Sequence, residues 1–184
     1  MKTNISDEYK NHISTLLNEY IMTENWHDAK LLLKSELQKN PDDHFLLTQF
    51  GEVLYEMQEY EKAIEFTEKA YKLAPNCPLT LNNHAVVLYI NEKNNEAIQI
   101  WKNLLEKNIN EIAESECGDG LKYAKSLIND IRFRIGDAYL ANNEREEALN
   151  YYKLHLTNRK RGLFSNFTKN EVEKEIKELE KQMD

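Results

Sequence analysis

Four stretches of the chain share one pattern and decide the fold: WHDAKLLL from Trp26, YEKAIEFT from Tyr60, NNEAIQIW from Asn94 and REEALNYY from Arg145. Each carries an alanine at its fourth position, and the first three of these, Ala29, Ala63 and Ala97, are evenly spaced at thirty-four positions. The fourth, Ala148, follows Ala97 by one such interval plus seventeen positions. A fixed period of this length indicates a repeat protein. The sequence therefore predicts four copies, the last displaced by a seventeen-residue insertion.

Other small residues recur at the same interval. Gly51 and Ala85 are separated by the same thirty-four positions, and Gly136 precedes Ala148 by twelve positions, as Gly51 precedes Ala63. A small residue lets one helix approach its neighbour closely, and larger residues then fill the remaining groove. In these residues the chain resembles the tetratricopeptide repeat family, whose unit is a helical hairpin.

The resemblance covers residues 10–111 and 129–162 and departs from the family pattern at a few packing positions. Leu17 stands where the first copy should have a small residue, and His84 and His155 stand where leucine and alanine are usual. The resemblance implies an all-α fold, a right-handed α-solenoid of helical hairpins, in a single domain over residues 1–184. Its repeats would occupy residues 10–43, 44–77, 78–111 and 129–162.

The composition independently favours a helical protein and restricts its partners. Only 5 glycines and 3 prolines occur in 184 residues, too few for a turn-rich β-sandwich or barrel. The formal charge of −8 argues against binding to nucleic acid or to anionic membranes. Cys77 and Cys117 form no CxxC pair, which favours a reducing compartment. Since the N-terminal residues also lack an apolar signal segment, we expect a cytoplasmic protein.

The inserted residues, 112–128, are expected to lengthen two helices. The helical spacing of the fourth copy extends back to about residue 120 through Ile128, Ala124 and Leu121. The spacing of the third copy extends forward through Leu105, Ile109 and Ile112. The sequence thus predicts about two added turns on each helix, joined at 115–120. The result would be an elongated hairpin between repeats 3 and 4.

A C-terminal capping helix is expected over approximately residues 168–183. Thr168 and Glu171 form a capping-box signature. Apolar residues then follow at helical spacing, namely Val172, Ile176, Leu179 and Met183. We expect this helix to cover the last hairpin and to present a charged outer face, with Leu163, Phe164 and Phe167 packed against the end of the stack.

Catalytic, metal and cofactor motifs are not found in the sequence. The five histidines show no HxxxH or HxxE spacing, and the chain lacks a glycine-rich phosphate loop, a nucleophile elbow and a calcium loop. His84 falls beside Val87 and Leu88 on a packing face, where we expect a hydrogen-bonded core histidine. We therefore expect no enzyme activity, no cofactor and no bound metal.

The resemblance implies a concave binding groove lined by the first helix of each repeat. Transferred onto this chain, the groove residues are Asn18, Gln49, Glu52, Tyr55, Asn82, Asn83, Val86, Tyr89, Asp130, Phe133, Arg134 and Asp137. Amide side chains can hydrogen-bond an extended peptide backbone, and tyrosines supply rigid contact area. Family members that grip the C-terminal carboxylate of heat-shock chaperones use two lysines. Both are missing here, and Glu52 and Asp130 would repel a carboxylate, so this partner is not expected.

The sequence favours a non-catalytic adaptor that binds a protein or peptide partner in this groove. Residues 1–143 hold the whole negative charge, with 23 acidic and 15 basic residues, which favours a basic or neutral partner. Two alternatives stay open. One is a small acidic neutralising partner, either a secretion chaperone or an immunity protein for a basic toxin. The other is an enzyme whose residues converge from several repeats. The partner's identity and the oligomeric state are not determined by the sequence.

Overall fold

The computed structural model describes residues 7–118, 120–160 and 164–183, and all regular structure in these ranges is α-helical. The chain divides into two compact units, residues 1–87 and residues 88–184. The first unit contains α1 (Asp7–Met22), α2 (Trp26–Lys39), α3 (His44–Glu56), α4 (Tyr60–Leu73) and most of α5 (Pro78–Ile90). The second contains the end of α5 and then α6 (Asn94–Leu105), α7 (Ile109–Ala113), α8 (Gly120–Ala141), α9 (Arg145–Lys160) and α10 (Lys169–Met183). None of the described helices has both the length and the apolarity needed to cross a membrane.

The turns between paired helices repeat at the predicted interval. One residue in each turn has a left-handed backbone conformation, with φ between 52° and 65°: Glu24, Gln58, Glu92 and Asn143. The N–H of the residue that follows each of these donates to the carbonyl five residues before it. Examples are Glu59 to Leu54 at 2.9 Å and Glu144 to Tyr139 at 2.9 Å. This bond closes a Schellman motif, which satisfies the last carbonyls of the first helix. The first three turns are thirty-four positions apart and the fourth is displaced by seventeen more, which confirms the repeats and the insertion.

The small residues lie where paired helices approach each other. Ala63 and Ala148 are 0% exposed. A Cβ added to Gly51 would lie 2.4 Å from the Thr67 Cγ2, and one added to Gly136 would lie 2.6 Å from the Tyr152 ring. Both distances are far below van der Waals contact, so a larger residue would force the helices apart. The expectation of close packing at these positions is confirmed.

The insertion is only partly as predicted. Helix α8 begins at Gly120, as the spacing indicates, and runs to Ala141. The forward extension of the preceding helix is wrong, because α6 ends at Leu105 and a separate short helix, α7, follows. Asn108 is the local cause: its side chain accepts a hydrogen bond from the Asn110 N–H at 2.8 Å and caps a new helix start. An N-cap residue adopts an extended conformation, which a continuous helix would not allow.

Helix α7 packs back against α8 instead of lengthening a hairpin. Ile112 is 0% exposed, so the short helix contributes to the core of the second unit. A Cβ on Gly118 would lie 2.5 Å from the Ala113 carbonyl oxygen and 2.6 Å from that of Ile112. Since these atoms belong to the backbone and cannot move aside, the turn after α7 is tight and requires glycine. Asp119, within the predicted turn at 115–120, lies outside the described residues.

The C-terminal helix α10 is confirmed, together with its capping box. The Thr168 N–H donates to the Glu171 carboxylate at 2.6 Å, and the Glu171 N–H donates to the Thr168 Oγ1 at 3.3 Å. Hydrogen bonding from the Thr168 side chain and from its backbone N–H holds the pKa of Glu171 below its ordinary value. Val172, Ile176 and Leu179 are buried against a cluster that contains Ala148 and Tyr152. Met183, expected on the same face, is 42% exposed because the packing ends one turn earlier. Of the residues expected to pack before α10, Phe167 contacts the cluster, Phe164 is 52% exposed, which makes that expectation wrong, and Leu163 lies outside the described residues.

Candidate peptide-binding groove

Seven of the twelve predicted groove residues lie in the first unit. They are Asn18 on α1, Gln49, Glu52 and Tyr55 on α3, and Asn82, Asn83 and Val86 on α5. Asn18 is exposed, whereas the other six are partly accessible. None of the seven is buried in the core, so each is placed where a partner could touch it.

Polar contacts fix the α3 and α5 side chains of this set. The Asn83 Nδ2 donates to the Glu52 carboxylate at 3.1 Å, and the Asn82 Nδ2 donates to the Asn83 Oδ1 at 3.1 Å. Beneath them, the hydroxyls of Thr48 and Thr80 are 3.0 Å apart and fully buried. The two helices are therefore held together by hydrogen bonds at two levels. Fixed side chains lose less conformational freedom when a ligand binds.

The tyrosines of the predicted groove pack against neighbouring helices. The ring of Tyr55 lies 5.8 Å from that of Tyr60 on α4. In the second unit, the Tyr89 ring lies 6.1 Å from that of Trp101, which is 0% exposed. Both tyrosines are half-buried, so each combines packing with an accessible edge.

An open cavity of about 460 Å³ lies beside Asn18 on α1. Thr15, Glu19, Met22 and Thr23 also line it. Met22 is 83% exposed, an unusual value for a large apolar side chain. The spacing of the repeats gave no indication of this surface, because Met22 lies beyond the positions that the family pattern specifies.

Three of the four groove residues of the fourth copy contact the chain's own C-terminal region. Asp130 is 6% exposed, and its carboxylate accepts hydrogen bonds from the Asn166 N–H at 2.9 Å, the Asn166 side chain at 2.8 Å and the Ser165 hydroxyl at 2.5 Å. Phe133 is 8% exposed and stacks on Phe167, with ring centroids 4.1 Å apart. The Arg134 guanidinium lies 5.6 Å from the centre of the Phe167 ring. We name residues 165–167 the C-terminal segment.

Asp137, the last residue of the set, accepts a hydrogen bond from the Tyr152 hydroxyl at 2.7 Å. Burial raises the pKa of Asp137 to about 6, and the nearby Glu175 on α10 acts in the same direction. The Tyr152 hydroxyl and the Arg134 guanidinium oppose this rise. Burial likewise raises the pKa of Tyr152 above its ordinary value, so the hydroxyl stays protonated and donates.

The two histidines that depart from the family pattern are both core residues. His84 is 6% exposed, its Nδ1 lies 3.2 Å from the Thr67 hydroxyl, and its ring stacks on Tyr71 at 5.2 Å. This confirms the expectation of a hydrogen-bonded core histidine. His155 is 0% exposed, its Nδ1 lies 2.9 Å from the Asn129 carbonyl oxygen, and burial lowers its pKa.

Sequence reasoning missed the residues that complete the fourth-copy contacts. Arg159 on α9 donates to the Phe167 carbonyl at 2.5 Å and approaches the Ser165 carbonyl at 3.4 Å. One signal was available: Asp130 occupies the position that holds Phe45 and Leu79 in the two preceding copies. A carboxylate in place of an apolar residue indicates a polar contact that the other copies do not make.

Comparisons with known proteins agree with this architecture. The family model described as anaphase-promoting complex, cyclosome, subunit 3 matches residues 20–104, and the tetratricopeptide repeat model matches residues 130–157. The chain is 29% identical over 102 residues to Protein STIP1 homolog from Dictyostelium discoideum. That match covers 55% of this chain and 16% of the relative, so the chain spans only a small part of the length of that protein.

Solved structures show the same fold at low sequence identity. PilF from Pseudomonas aeruginosa has a TM-score of 0.69 and 19% identity, covering 96% of this chain and 70% of that one. MamA of AMB-1 has a TM-score of 0.64 and 16% identity, covering 96% and 90%. The N-terminal domain of STI-1 from C. elegans has a TM-score of 0.53 and 24% identity, covering 74% and 94%. With its four helical hairpins, its repeat interval and these matches, the chain has the all-α solenoid fold and belongs to the tetratricopeptide repeat family.

Proposed function

We propose that the chain is a non-catalytic adaptor that binds an extended segment of a partner protein on the α3–α5 surface of its first unit. The observation that carries the proposal is the row of fixed, partly accessible polar groups formed by Glu52, Asn83 and Asn82. Membership of the tetratricopeptide repeat family supports a protein-binding role. We also propose that the four repeats and α10 form one domain, with the boundaries stated from the sequence, in a cytoplasmic protein.

The chemistry of this surface suits an extended peptide. Gln49, Asn82 and Asn83 each offer an amide donor and an amide acceptor, which are the groups that a peptide backbone can bind in either orientation. Tyr55 lies on the same helix as Gln49 and adds contact area with few rotatable bonds. A ligand bound here would gain backbone hydrogen bonds for affinity and one aromatic contact for specificity.

The charge of the first unit favours a basic partner. Residues 1–87 contain 14 acidic and 8 basic residues, and so hold −6 of the total −8. An acidic surface accelerates encounter with a basic ligand at low salt. We therefore propose a basic or neutral partner and expect its association rate to fall as the ionic strength rises.

The same acidic excess favours a second candidate, a stoichiometric neutraliser of a basic protein. The two proposals differ in affinity and in salt dependence. A neutraliser would form a one-to-one complex that persists in high salt, whereas an adaptor would bind a short peptide at micromolar concentration and release it in high salt. Titration of the purified partner at low and high ionic strength separates them.

Site-specific photocrosslinking tests the α3–α5 surface. Benzoylphenylalanine placed at Gln49 or Asn82 should give covalent adducts with the same partner, and the exposed positions Lys34 on α2 and Glu65 on α4 serve as matched controls. With the captured partner purified, Asn83→Ala should weaken binding at least tenfold, whereas Glu65→Ala should leave it unchanged. Adducts formed equally well from α2 and α4, or full binding by Asn83→Ala, would contradict the proposal.

A further inference from the structure

The C-terminal segment is held as a bound peptide would be held. Its central N–H, that of Asn166, donates to Asp130, and its flanking carbonyls, those of Ser165 and Phe167, accept from Arg159. Both polar edges of a short stretch of backbone are thus satisfied by charged side chains from two helices, α8 and α9. Charge-assisted bonds of this kind are the stronger class of hydrogen bond and depend on geometry.

Side chains of the segment are recognised as well as its backbone. The Ser165 hydroxyl and the Asn166 amide both donate to the Asp130 carboxylate. The Phe167 ring stacks on the Phe133 ring at 4.1 Å, and the Arg134 guanidinium lies 5.6 Å from its centre. His155 completes the aromatic side of this pocket, with its ring centroid 6.4 Å from that of Phe167. We name Asp130, Phe133, Arg134, His155 and Arg159 the cradle.

Helix α10 shares the Phe133 ring with the cradle and also packs against α9. Val172, Ile176 and Leu179 are buried in the cluster that contains Ala148 and Tyr152. The Lys153 ammonium also pairs with the Glu180 carboxylate at 2.7 Å. Phe167 packs against the edge of the same cluster, but Ala148, Tyr152 and Lys153 of α9 still hold α10 when the Phe167 ring is removed, so we expect α10 to stay in place.

We propose that the cradle is a second peptide-binding site, specific for an extended segment of another protein in which a hydroxyl residue, an amide residue and an aromatic residue follow one another. The chain's own residues 165–167 occupy this site and act as a competing internal ligand. The site lies wholly in the second unit, so the inference does not depend on the function proposed for the α3–α5 surface. The cradle selects the hydroxyl and the amide through Asp130 and the aromatic ring through Phe133 and Arg134.

Competition with the internal ligand determines the expected binding. A tethered segment acts at an effective concentration on the order of millimolar. An external peptide of the same sequence must exceed that concentration to displace it from the wild-type chain. Replacing Phe167 by alanine removes the ring of the internal ligand but leaves the cradle intact.

Fluorescence anisotropy with the labelled hexapeptide FSNFTK, the sequence of residues 164–169, tests the proposal on the full chain. We expect Phe167→Ala to bind this peptide at least tenfold more tightly than the wild type does. The peptide FSNATK, which lacks the second ring, should not bind. The double variant Asp130→Asn/Phe167→Ala should bind FSNFTK at least tenfold more weakly than Phe167→Ala does, because the new amide nitrogen cannot accept the hydrogen bonds of the segment. The exposed-site substitution Glu147→Gln is the matched control and should not weaken this binding.

Three results would overturn the inference. The first is equal affinity of Phe167→Ala for FSNFTK and FSNATK. The second is concentration-dependent dimerisation of Phe167→Ala without peptide binding, which would make the cradle a contact between two copies of the chain. If Phe167→Ala unfolds the second unit, the titration is repeated with Ser165→Ala/Asn166→Ala, which keeps the ring. The third overturning result is the absence of FSNFTK binding by this double variant.

Discussion

Asp137→Asn should stabilise the second unit at neutral pH, although it removes a hydrogen-bonded carboxylate. Asp137 accepts a hydrogen bond from the Tyr152 hydroxyl at 2.7 Å, and an asparagine oxygen can accept the same bond. The substitution therefore removes the charge and keeps the contact. Burial disfavours that charge, and the neighbouring Glu175 adds to the cost.

The size of the effect follows from the pKa of Asp137, which is about 6 in the native protein against an ordinary value of 3.8. One pKa unit corresponds to about 1.4 kcal/mol, so ionisation costs the native state up to about 3 kcal/mol relative to the unfolded chain. Solvent reaches part of this carboxylate, and screening reduces the expected cost to about 2 kcal/mol.

The sign of the pH dependence follows from proton binding. Because the native pKa is raised, the native state binds more protons than the unfolded chain between about pH 4 and pH 6. The contribution of Asp137 to stability is fully present below about pH 4 and is lost as the pH rises through about 6. Asp137→Asn does not titrate. It should therefore be more stable than the wild type by about 2 kcal/mol at pH 7.5, and the difference should vanish near pH 4.

Urea denaturation monitored by tryptophan fluorescence measures this difference. Trp26 and Trp101 are the two tryptophans, and Trp26→Phe leaves only Trp101, which is buried in the second unit. Both proteins are compared in this background from pH 4 to pH 8, with Glu92→Gln at an exposed turn as the charge-removal control. A difference that does not change with pH would refute the assignment of a raised pKa. Lower stability of Asp137→Asn at pH 7.5 would show that attraction to Arg134 outweighs burial.

Three further predictions, one of them with a paired control substitution, test the packing and the turns. Gly136→Ala would place a Cβ 2.6 Å from the Tyr152 ring, so we expect a net loss of about 1–2 kcal/mol, and unchanged thermal unfolding would contradict the close helix contact. Gln58 has a φ of 60°, which glycine adopts without strain, so Gln58→Gly should raise the free energy of unfolding measured in urea by about 0.5–1 kcal/mol. The control Glu61→Gly, in the first turn of α4, should lower it by about the same amount. Asn129→Leu replaces a 0% exposed amide whose two side-chain polar atoms have no hydrogen-bond partner among the described residues, so the free energy of unfolding should rise by about 1 kcal/mol. A loss measured by calorimetry would show that this amide is hydrogen-bonded in solution.

The hairpins were predictable because their determinants are local and periodic. A helix pair needs one small residue at the contact and one left-handed residue at the turn, and both recur at a fixed interval. The turns at Gln58 and Glu92 show that a left-handed residue need not be glycine. The alanine and glycine positions therefore located the repeats more reliably than any turn motif.

The insertion was predicted only in part because apolar spacing does not record a break in a helix. Ile109 and Ile112 continue the periodicity of α6, yet they belong to the separate helix α7. The break depends on Asn108, which uses its side chain as an N-cap. Asparagine is tolerated within helices and favoured at caps, so its presence alone did not choose between the two.

The contacts of the fourth copy could not be derived from the sequence. Asp130 lies 36 residues from Asn166, and no repeat register relates the two positions. Asp130, Phe133 and Arg134 of the groove assignment all lie on α8, but the assignment could not show that the C-terminal segment contacts them. Contacts between a repeat and a nonrepeated segment depend on tertiary structure, which a periodic pattern does not contain.

The predicted groove therefore consists of two sets of residues, one on the α3–α5 surface and one in the cradle, whose substitution should affect different binding reactions. Tyr55 and Asn83 belong to the first unit, and their substitution should affect a partner bound on the α3–α5 surface. Arg134 belongs to the second unit and contacts Phe167, so its substitution loosens the internal ligand as well as the cradle. A variant that combines Tyr55→Ala with Arg134→Ala would lower binding at one surface while it changes the occupancy of the other. Tyr55→Ala and Arg134→Ala must therefore be measured as separate variants of the full chain to assign a partner to the α3–α5 surface or to the cradle.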